Sequence, residues 1–597
     1  MGGADNSVDK RVVIIGAGPA GLTAGRELAR LGLPPIVVEK SAVIGGLSRT
    51  ETFKGFYFDM GGHRFFTKVA EVNKIWQEVL GDQFLRRPRL SRIYYDRRFF
   101  HYPLRPLNAL LGLGPRQAVL ILLSYVRWQI FPHRQENTFE EWVTNRFGRR
   151  LFQIFFKSYT EKVWGIPCSE LRAEWAAQRI KNLSLKAAVL SMFLKPKRTI
   201  KTLIEEFDYP RLGPGMMWNA VAAEIRQQRG EVRLQSNVVT LRRTGLRVDG
   251  IVVSTGGREE LIPGTDFISS MPVSELVQKM LPPPPAPVLQ AARRLSYRDF
   301  LTVCLIVNRP DVFPDNWIYV HSPEVTVGRI QNFRSWSPDM VPDPTKTSLG
   351  LEYFCTEGDA IWNTPDAELV ELGKRELERI GVVRAADVED GCVFRVPKAY
   401  PIYDAGYADS LATVREFVDS LDNLQTIGRN GLHRYNNQDH AMLTGILAVR
   451  NLTQGERNDL WSVNTDQEYH EEVADLPDRD LAELEAGLGQ IFNKVDGVAL
   501  GTAVGALTGA LLCLATLILV WRGGDEVGPR LGLLAQYFPG YTVTGPGSLV
   551  GLAYGFASGF AAGWGFAVFR NAALFLYMAI LQRRAQLHLL RRFLEFI

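Results

Sequence analysis

Cysteine is scarce in this chain of 597 residues, and the few that occur are scattered. They stand at positions 168, 304, 355, 392 and 513, and no two have C-x-x-C spacing. This pattern indicates neither a zinc site nor a disulfide framework, because both need clustered or regularly paired cysteines. We therefore expect a reducing compartment and no bound metal.

A strong excess of one charge is also lacking. The chain has 69 basic and 64 acidic residues, and its net charge of +5 is too small to imply a nucleic-acid partner. Residues Met1 to Lys10 are polar and lead directly into an apolar strand, so the apolar core of a signal peptide is missing. The length predicts about three or four domains, and we expect the catalytic part in the cytoplasm.

Two long runs near the carboxyl end contain no charged residue. The first covers Gly497 to Trp521, and the spanning part of the second is predicted at Ser548 to Phe569. Each is long enough for one bilayer crossing. Glycine recurs at every fourth position of both runs, at 497, 501, 505 and 509 and at 551, 555, 559 and 563. Such a face lets two helices pack closely in lipid, so we predict a two-helix membrane hairpin, with two buried helices of a soluble domain as the alternative.

Basic residues flank this predicted hairpin. Lys494 precedes the first span, and Arg583, Arg584, Arg591 and Arg592 follow the second. The positive-inside rule then places both termini and the catalytic domain on the cytoplasmic side of the cell membrane. We assign 476–496 to an acidic linker helix and 497–597 to the hairpin and its basic tail, so the lipid bilayer is a predicted partner through 497–597.

The opposite end of the chain carries a dinucleotide-binding pattern. An apolar strand runs into the turn Gly16, Gly18 and Gly21, a helix follows, and Glu39 closes a second apolar strand. The first glycine permits the tight turn, the second lets the backbone approach a pyrophosphate, and the third lets the helix pack on its strand. Glu39 stands where a carboxylate accepts a hydrogen bond from a ribose hydroxyl.

A second glycine pair, Gly45 and Gly46, follows that acidic residue and favours FAD over NAD. No second G-x-G-x-x-G occurs in the sequence, so a separate NAD(P)H domain is not expected. An external reductant, or a quinone as acceptor, would then have to visit the flavin itself.

Strand-like runs recur between 232 and 396 with helical patterns between them. This mixture predicts an α/β fold: a Rossmann-like FAD-binding domain over 10–475, with an inserted mixed α+β substrate domain in approximate segments 85–210 and 285–395. The apolar stretch Leu104 to Phe131 is interrupted by three arginines. It fits either a basic amphipathic surface resting on the membrane or an apolar helix pair buried in the substrate domain.

Several motifs carry a resemblance to a known family. They are Gly62-His63-Arg64-Phe65-Phe66-Thr67, Tyr159-Thr160-Glu161-Lys162-Val163-Trp164-Gly165, Gly328-Arg329-Ile330, Ala399-Tyr400-Pro401, and Gly428-Arg429 through Arg434-Tyr435. With these motifs, roughly residues 10 to 455 resemble the FAD-dependent amine oxidase and protoporphyrinogen oxidase superfamily of GR2 type. Within it, the chain is most similar to the UDP-galactopyranose mutases.

The resemblance implies non-covalent FAD and a role for particular residues. The residues expected to bind the cofactor are Gly16, Gly18, Gly21, Glu39, Gly45, Gly46, Gly62, Val238, Arg429 and Asp439. Those expected to be catalytic are His63, Arg329 and Tyr435. Those expected to bind substrate are Tyr159, Trp164, Tyr400 and Asn437. The alternatives are a core histidine at 63, a structural ion pair at 329, packing at 159 and 164, and a plain capping cluster over 430–440.

Three positions depart from the mutase pattern. The second histidine of the flavin loop is Phe66, an aspartate near the flavin is Asn437, and a second catalytic arginine would fall at Leu183. Leucine cannot replace a bidentate guanidinium contact to phosphate. The usual UDP-galactose substrate is therefore in question.

Two enzymatic functions and one non-enzymatic function follow. The resemblance implies redox-neutral chemistry on a sugar nucleotide or lipid-linked sugar, in which reduced flavin attacks the anomeric carbon as the diphosphate leaves. The alternative is an oxidoreductase acting on a hydrophobic small molecule such as an isoprenoid, a porphyrinogen or a lipid amine. The third is a membrane-anchored flavin scaffold or sensor.

Overall fold

The computed structural model describes residues 10–102, 112–173, 206–464, 496–523 and 527–594, and only the backbone of 573–594. The chain forms two compact units, Met1–Ala474 and Asp475–Ile597. Leu183 and the predicted linker helix up to residue 495 lie outside the described residues, so those predictions stay open. The division of the larger unit into FAD and substrate segments likewise stays a prediction.

A five-stranded parallel sheet forms the nucleotide-binding part of the first unit. Its order is β20-β13-β1-β2-β9. The strands are β1 Val12–Ile15, β2 Ile36–Val38, β9 Glu231–Arg233, β13 Asp266–Ser269 and β20 Leu424–Thr426. The chain leaves β1 toward β2 on one side and reaches β13 on the other, so β1 lies at the topological switch point. Ligands bind outside the carboxyl ends of the strands at such a point.

A seven-stranded mixed sheet forms the second layer, in the order β19-β15-β18-β17-β16-β6-β7. The strands are β6 Ser91–Tyr95, β7 Arg98–His101, β15 Tyr297–Val307, β16 Trp317–Val320, β17 Arg329–Asn332, β18 Thr347–Cys355 and β19 Val388–Pro401. Alternate residues of β15 enter two different cores, as Leu301 and Val303 pack on one face and Phe300 and Cys304 on the other. The sheet is therefore covered on both faces, which is why β15 and β18 are buried along nearly their whole length.

The remaining described strands form three smaller sheets. One has the order β12-β11-β10-β14, and the others pair β3 with β4 and β5 with β8. The strands are β3 Thr50–Phe53, β4 Phe56–Asp59, β5 Phe84–Pro88, β8 Glu206–Pro210, β10 Asn237–Thr244, β11 Arg247–Thr255, β12 Arg258–Pro263 and β14 Met280–Leu281. The first of the strand-like runs predicted from position 232 onward is divided between β9 and β10, because Gln235 takes a positive φ between them.

Helices connect and cover these sheets in the first unit. They are α1 Pro19–Arg30, α2 Ala70–Leu80, α3 Pro115–Ile130, α4 Phe139–Phe147, α5 Arg149–Leu151, α6 Ser158–Trp164, α7 Gly215–Gln227, α8 Val273–Gln278, α9 Ala286–Arg294, α10 Phe333–Trp336, α11 Ala360–Asn363, α12 Asp366–Ile380, α13 Tyr407–Asp419, α14 Gly428–Gly431 and α15 Gln438–Gln454. A π-helical turn, Phe152–Lys157, joins α5 to α6. Gly18 is the N-cap of helix α1, and Pro19 is its first residue, a position that suits the fixed φ of proline.

The second unit is a helical hairpin of α16 Gly497–Arg522 and α18 Gly545–Leu594, with the short α17 Pro529–Gly532 between them. The glycine faces pack against each other: a Cβ at Gly505 would lie 2.7 Å from the Phe556 carbonyl oxygen, and one at Gly559 would lie 2.9 Å from the Gly505 Cα. Thr508 Oγ1 also donates to the Gly555 carbonyl at 2.7 Å. Substitution at these glycines therefore separates the helices.

Two helical segments of this hairpin, Gly497–Arg522 and Gly545–Ala572, are long and apolar enough to cross a membrane. Their outer faces are exposed, with Leu507 and Leu511 at 63% and 58%. The alternative of buried helices in a soluble domain does not fit these described residues.

Candidate functional site

A cavity of about 790 Å³ lies at the switch point of the parallel sheet and extends toward the mixed sheet. Its size falls within the usual range for ligand pockets, roughly 300–1,000 Å³. Most residues predicted for the site line it: Gly16, Gly18, Glu39, Gly46, Gly62, His63, Tyr159, Trp164, Val238, Arg329, Tyr400, Arg429, Tyr435, Asn437 and Asp439. Gly21 and Gly45 are not among the lining residues and act from behind it.

Two glycine loops form a close-fitting backbone wall at one end of the cavity. A Cβ at Gly46 would lie 3.1 Å from the Gly18 Cα, and one at Gly16 would lie 2.2 Å from the Ser270 hydroxyl oxygen. Gly21 lies so close to the Gly16 carbonyl that a Cβ would approach its oxygen to 2.0 Å. Gly45 donates its amide to the Ala17 carbonyl, which joins the two loops. The N-terminus of α1 and this wall suit a pyrophosphate, because backbone amides can approach it directly.

Glu39 follows β2 and is buried beside this wall. Its carboxylate accepts hydrogen bonds from the Ala17 amide at 2.8 Å and from the Ser41 amide at 2.9 Å. A carboxylate has about four acceptor positions, so these two bonds orient Glu39 and leave capacity for a ribose hydroxyl. Val238 lines the same end of the cavity from β10, where its carbonyl accepts from the Lys279 ammonium at 2.7 Å.

Buried polar atoms face the other side of the nucleotide end. Asn430 Oδ1, Asn436 Nδ2 and Gln438 Oε1 have no hydrogen-bond partner within the described residues, although all three side chains line the cavity. Buried polar groups are normally paired, so these atoms fit a polar ligand that lies here. Together with the glycine wall and Glu39, they fit a flavin dinucleotide.

A stacked tyrosine pair and an arginine form one wall further along the cavity. The rings of Tyr400, at the end of β19, and Tyr435 stack with centroids 5.5 Å apart and an interplanar angle of 9°. The Arg429 guanidinium carbon lies 5.5 Å from the first ring and 4.6 Å from the second. Its Nε and Nη1 donate to the carbonyls of Asn436 and Ala399 at 2.9 and 3.0 Å. Arg429, predicted for FAD, therefore also touches both tyrosines predicted for the substrate region.

Arg329 is held by a buried carboxylate across two strands. It begins β17 and pairs directly with Glu352 of β18, whose side chain is fully buried. Arg329 Nε donates to Glu352 Oε2 at 2.9 Å, Nη2 donates to the same oxygen, and Gln331 Nε2 donates to Oε1 at 2.5 Å. Burial alone would lower the pKa of Arg329, but the Glu352 carboxylate raises it well above its usual value. The guanidinium is thus permanently charged and already paired, as the structural alternative anticipated.

His63 lies between these charged groups and the glycine wall. Its Nε2 lies 2.8 Å from the Met60 carbonyl oxygen. Burial lowers the pKa of His63 to about 4, and the positive charges of Arg429 and Arg329 act in the same direction. The imidazole is therefore neutral near pH 7, and its Nε2 is suited to carry the proton donated to Met60.

Tyr159 and Trp164 are carried by α6 and differ in environment. Trp164 is 1% exposed and its ring lies 6.2 Å from that of Tyr400, so it supports the tyrosine wall. Tyr159 stacks on His321 with centroids 4.6 Å apart and an angle of 9°. Burial raises the pKa of Tyr159 well above its usual value, so this phenol remains a hydrogen-bond donor.

Two residues of this region escape the sequence reasoning. His321 lines the cavity, and burial with the neighbouring Lys162 lowers its pKa to about 3. Lys162 Nζ donates to the carbonyls on either side of His321, those of Val320 at 3.3 Å and Ser322 at 2.7 Å. The second such residue is Glu352, and one sequence signal could have predicted its pairing, since an acid inside the largely apolar run 347–355 must be paired when that strand is buried. No sequence signal points to His321.

Asn437 and Asp439 mark the start of α15. Asn437 is its N-cap, and it forms a reciprocal capping pair with His440. Asn437, Gln438 and Asp439 all line the cavity, so the start of α15 lies at the cavity wall. The capping alternative is met as well, and capping satisfies only some of the free amides of a helix N-terminus.

Apolar side chains line the part of the cavity beside the mixed sheet, which we call its apolar end. Ile93, Phe139, Phe155 and Phe156 line it there, and the first three are buried in the aromatic core beneath the mixed sheet. Phe66, which stands where the mutases have histidine, also lines the cavity. The cavity thus joins a polar nucleotide end to an apolar end.

Comparisons with known proteins agree with this architecture. The profile of the family described as flavin containing amine oxidoreductase matches residues 19–450. The Klebsiella pneumoniae protein named "Probable UDP-galactopyranose mutase" is 28% identical over 178 residues, 28% of this chain and 44% of the relative. A Methylomonas 4,4'-diapophytoene desaturase (4,4'-diapolycopene-forming) is 34% identical over 93 residues, 15% of this chain and 18% of the relative. The matched segments thus span less than half of these curated relatives.

The fold also has a close counterpart among solved structures. The crystal structure of reduced UDP-galactopyranose mutase superposes with a TM-score of 0.66, covering 77% of this chain and 99% of that one at 21% identity. This likeness confirms the predicted α/β fold with mixed sheets. With the glycine wall and the family match over most of the first unit, it follows that this chain belongs to the flavin-containing amine oxidoreductase family.

Proposed function

We propose that this protein is a membrane-anchored flavoenzyme that binds FAD non-covalently and rearranges a sugar bearing a phosphate or diphosphate leaving group. The substrate is a sugar nucleotide or a lipid-linked sugar, and the reaction has no net redox change. The observation that carries this proposal is the wall of Tyr400, Tyr435 and Arg429, which puts two hydroxyl-bearing rings and a cation in one enclosed cavity. A leaving phosphate needs such donors at the point where its charge develops.

The chain's residues have distinct roles in this proposal. Reduced flavin would supply the nucleophile or electron donor for the anomeric carbon. Arg429 and Arg329 provide positive charge. Glu352 offsets the charge of Arg329 and so weakens the attraction of Arg329 for an anion. Tyr400 and Tyr435 donate hydrogen bonds to phosphate oxygens, because burial raises the pKa of Tyr400 to about 12 and keeps it protonated. His63 is neutral and orients the loop beside the cofactor through its bond to Met60.

The second unit supports membrane attachment and a lipid-linked substrate. Its two helices have the length and composition of membrane spans. The basic residues that follow position 582 in the sequence favour a cytoplasmic catalytic unit and cytoplasmic termini. An enzyme held at a bilayer gains easy access to a substrate that resides there, and the apolar end of the cavity is suited to the first part of a lipid chain.

The test uses the full chain in lipid nanodiscs, reduced with dithionite in the absence of oxygen. It is mixed with a panel of UDP- and dTDP-hexoses and polyprenyl-phosphate hexoses, and ring isomers are separated by chromatography. We expect turnover by the reduced protein alone. Tyr435→Phe should lose activity by about tenfold or more, since one charge-assisted hydrogen bond is worth roughly 1.5–3 kcal/mol. Tyr57→Phe, a substitution at the partly exposed Tyr57 of β4, serves as the matched control. Absence of isomerisation over the whole panel would refute the proposal.

A second candidate is an oxidoreductase of a hydrophobic substrate. The observation that favours it is the apolar end of the cavity, formed by Ile93, Phe139 and Phe155. Its test is anaerobic mixing of the oxidised protein with isoprenoids and lipid amines, with absorbance at the flavin bands as the readout. Bleaching that oxygen or a quinone reverses would favour this candidate, and unchanged absorbance would exclude it for the compounds tried.

A further inference from the structure

Helix α3 presents its apolar side chains outward instead of toward the protein. Its outer face is formed by side chains between 39% and 62% exposed, which are Val119, Leu120, Leu122, Leu123, Val126 and Ile130. Phe131, just beyond the helix, is 71% exposed. A surface helix of a soluble domain normally shows the opposite arrangement, with its apolar stripe on the core. For the described part of the stretch 104–131, the alternative of a buried helix pair is therefore wrong.

Positive charge borders this face and negative charge is missing from the helix. Arg116 and Arg127 are both exposed, and at 100° per residue they fall together toward one side of the apolar face, with only Leu120 beyond them. The sequence of α3 contains no acidic residue. An apolar face bordered by arginines is the arrangement of helices that lie in the interface of a bilayer containing anionic lipids.

The inner face of α3 holds it firmly to the catalytic unit. Ile121 is buried in the aromatic core that also contains Phe139 and Phe155. Ser124 Oγ accepts from the Arg150 amide at 3.1 Å, and Gln117 Oε1 accepts from the Arg150 guanidinium at 2.9 Å. The outer face is thus a fixed surface of the unit, and the core that holds Ile121 also contains Phe139 and Phe155 of the cavity lining.

We propose that the outer face of α3 docks on the bilayer surface, with its aliphatic side chains below the headgroups and its arginines beside anionic lipid phosphates. The proposal rests on the membrane anchoring proposed above. The two units are consecutive in the chain and meet between Ala474 and Asp475. An anchored second unit therefore tethers the catalytic unit to the membrane, and α3 would bring the apolar end of its cavity to the lipid.

The experiment measures lipid contact at single labelled positions of the full chain. Cys392 and Cys513, the partly exposed native thiols, are replaced by serine, and one cysteine is introduced for a bimane label. The test variant is Leu123→Cys. Ala367→Cys, on the exposed side of α12, is the water-facing control, and Leu511→Cys of the hairpin, 58% exposed, is the anchor control. The protein is reconstituted in phosphatidylcholine vesicles with or without phosphatidylglycerol, and quenching by brominated lipid and by aqueous iodide is compared.

Four results distinguish the possibilities. Quenching of both the 123 and 511 labels by brominated lipid, but not the 367 label, supports docking. Quenching at 511 with iodide access at 123 overturns the α3 proposal and leaves the anchor intact, whereas iodide access at 511 overturns the anchor itself. A 123 label shielded from both quenchers means that protein covers the face, which also overturns the proposal.

A second pair of variants tests the chemistry of the contact. Val126→Glu should weaken docking of α3 by roughly tenfold or more, because the variant loses the burial of one aliphatic side chain in the lipid. Arg116→Gln with Arg127→Gln should abolish the dependence of 123 quenching on phosphatidylglycerol while the 511 signal stays constant. Docking of α3 would be contradicted if brominated lipid still quenched the 123 label equally in Val126→Glu. It would also be contradicted if that quenching still depended on phosphatidylglycerol after both arginines were replaced.

Discussion

Replacing Glu352 by glutamine should destabilise the catalytic unit strongly, because it leaves Arg329 charged and buried without its partner. The Glu352 side chain is 0% exposed and that of Arg329 is 15% exposed. Two unit charges about 4 Å apart attract with about 4 kcal/mol at an effective dielectric constant of about 20. Breaking a buried pair from one side costs roughly 3–5 kcal/mol, since the remaining charge keeps its desolvation penalty. We therefore expect Glu352→Gln to lower the free energy of unfolding by roughly 3–5 kcal/mol.

The assay is urea unfolding of the full chain in nanodiscs, followed by tryptophan fluorescence and analysed as a double-mutant cycle with Arg329→Met. The double variant should lose much less than the sum of the two single losses, because it leaves no unpaired charge. The control is Asp339→Asn, which breaks the exposed pair between Asp339 and Arg211 at 2.8 Å and should cost less than about 1 kcal/mol. The buried pair does not stabilise the catalytic unit if Glu352→Gln lowers the free energy of unfolding no more than Asp339→Asn does. The same conclusion holds if the loss in the double variant equals the sum of the two single losses.

Three further predictions concern the cofactor, the hairpin and the pH response. Gly46→Ala should lower FAD retention, measured by flavin absorbance after desalting, because its Cβ would lie 3.1 Å from the Gly18 Cα. Gly32 also has a positive φ but faces open space, so Gly32→Ala should retain FAD. Gly505→Leu should separate the hairpin helices and lower the melting temperature of detergent-solubilised protein, whereas Leu507→Ala, on the exposed face, should not; equal effects would contradict the glycine interface. Folded His63 has a pKa of about 4, below its unfolded value of about 6.5. Its contribution to stability is therefore present above pH 6.5 and is lost as the pH falls toward 4. His63→Gln should reduce the slope of unfolding free energy against pH in that window by at most about 1.4 kcal/mol per pH unit, and an unchanged slope would mean that His63 titrates normally.

Local patterns predicted the nucleotide-binding part of the fold well. Gly16, Gly18 and Gly21 are close in sequence, and the physical demands on them are local: a tight turn, a close approach and a helix packed on its strand. Their placement in the structure follows those demands. The hairpin could be predicted equally well, because a glycine at every fourth position lies on one helical face whatever the partner helix is.

The site was predictable only where a motif carried it. The resemblance predicted roles for Arg329, Tyr400, Arg429 and Tyr435, and all four line one cavity. It did not reveal that Glu352 pairs with Arg329. That pairing depends on the register between β17 and β18, and a shift by one residue would turn either side chain to the opposite face. The stacking of His321 on Tyr159 likewise joins segments more than 150 residues apart, which no local pattern encodes.

Residue spacing within one or two neighbouring segments predicts the flavin-type nucleotide loop, the α/β class and the two long apolar helices. Tertiary packing establishes which charges are paired, which histidines are held neutral, and that α3 turns its aliphatic face outward. Those properties depend on burial and on contacts between distant strands and helices. Their energies exist only once folding has removed water from some side chains and left it on others.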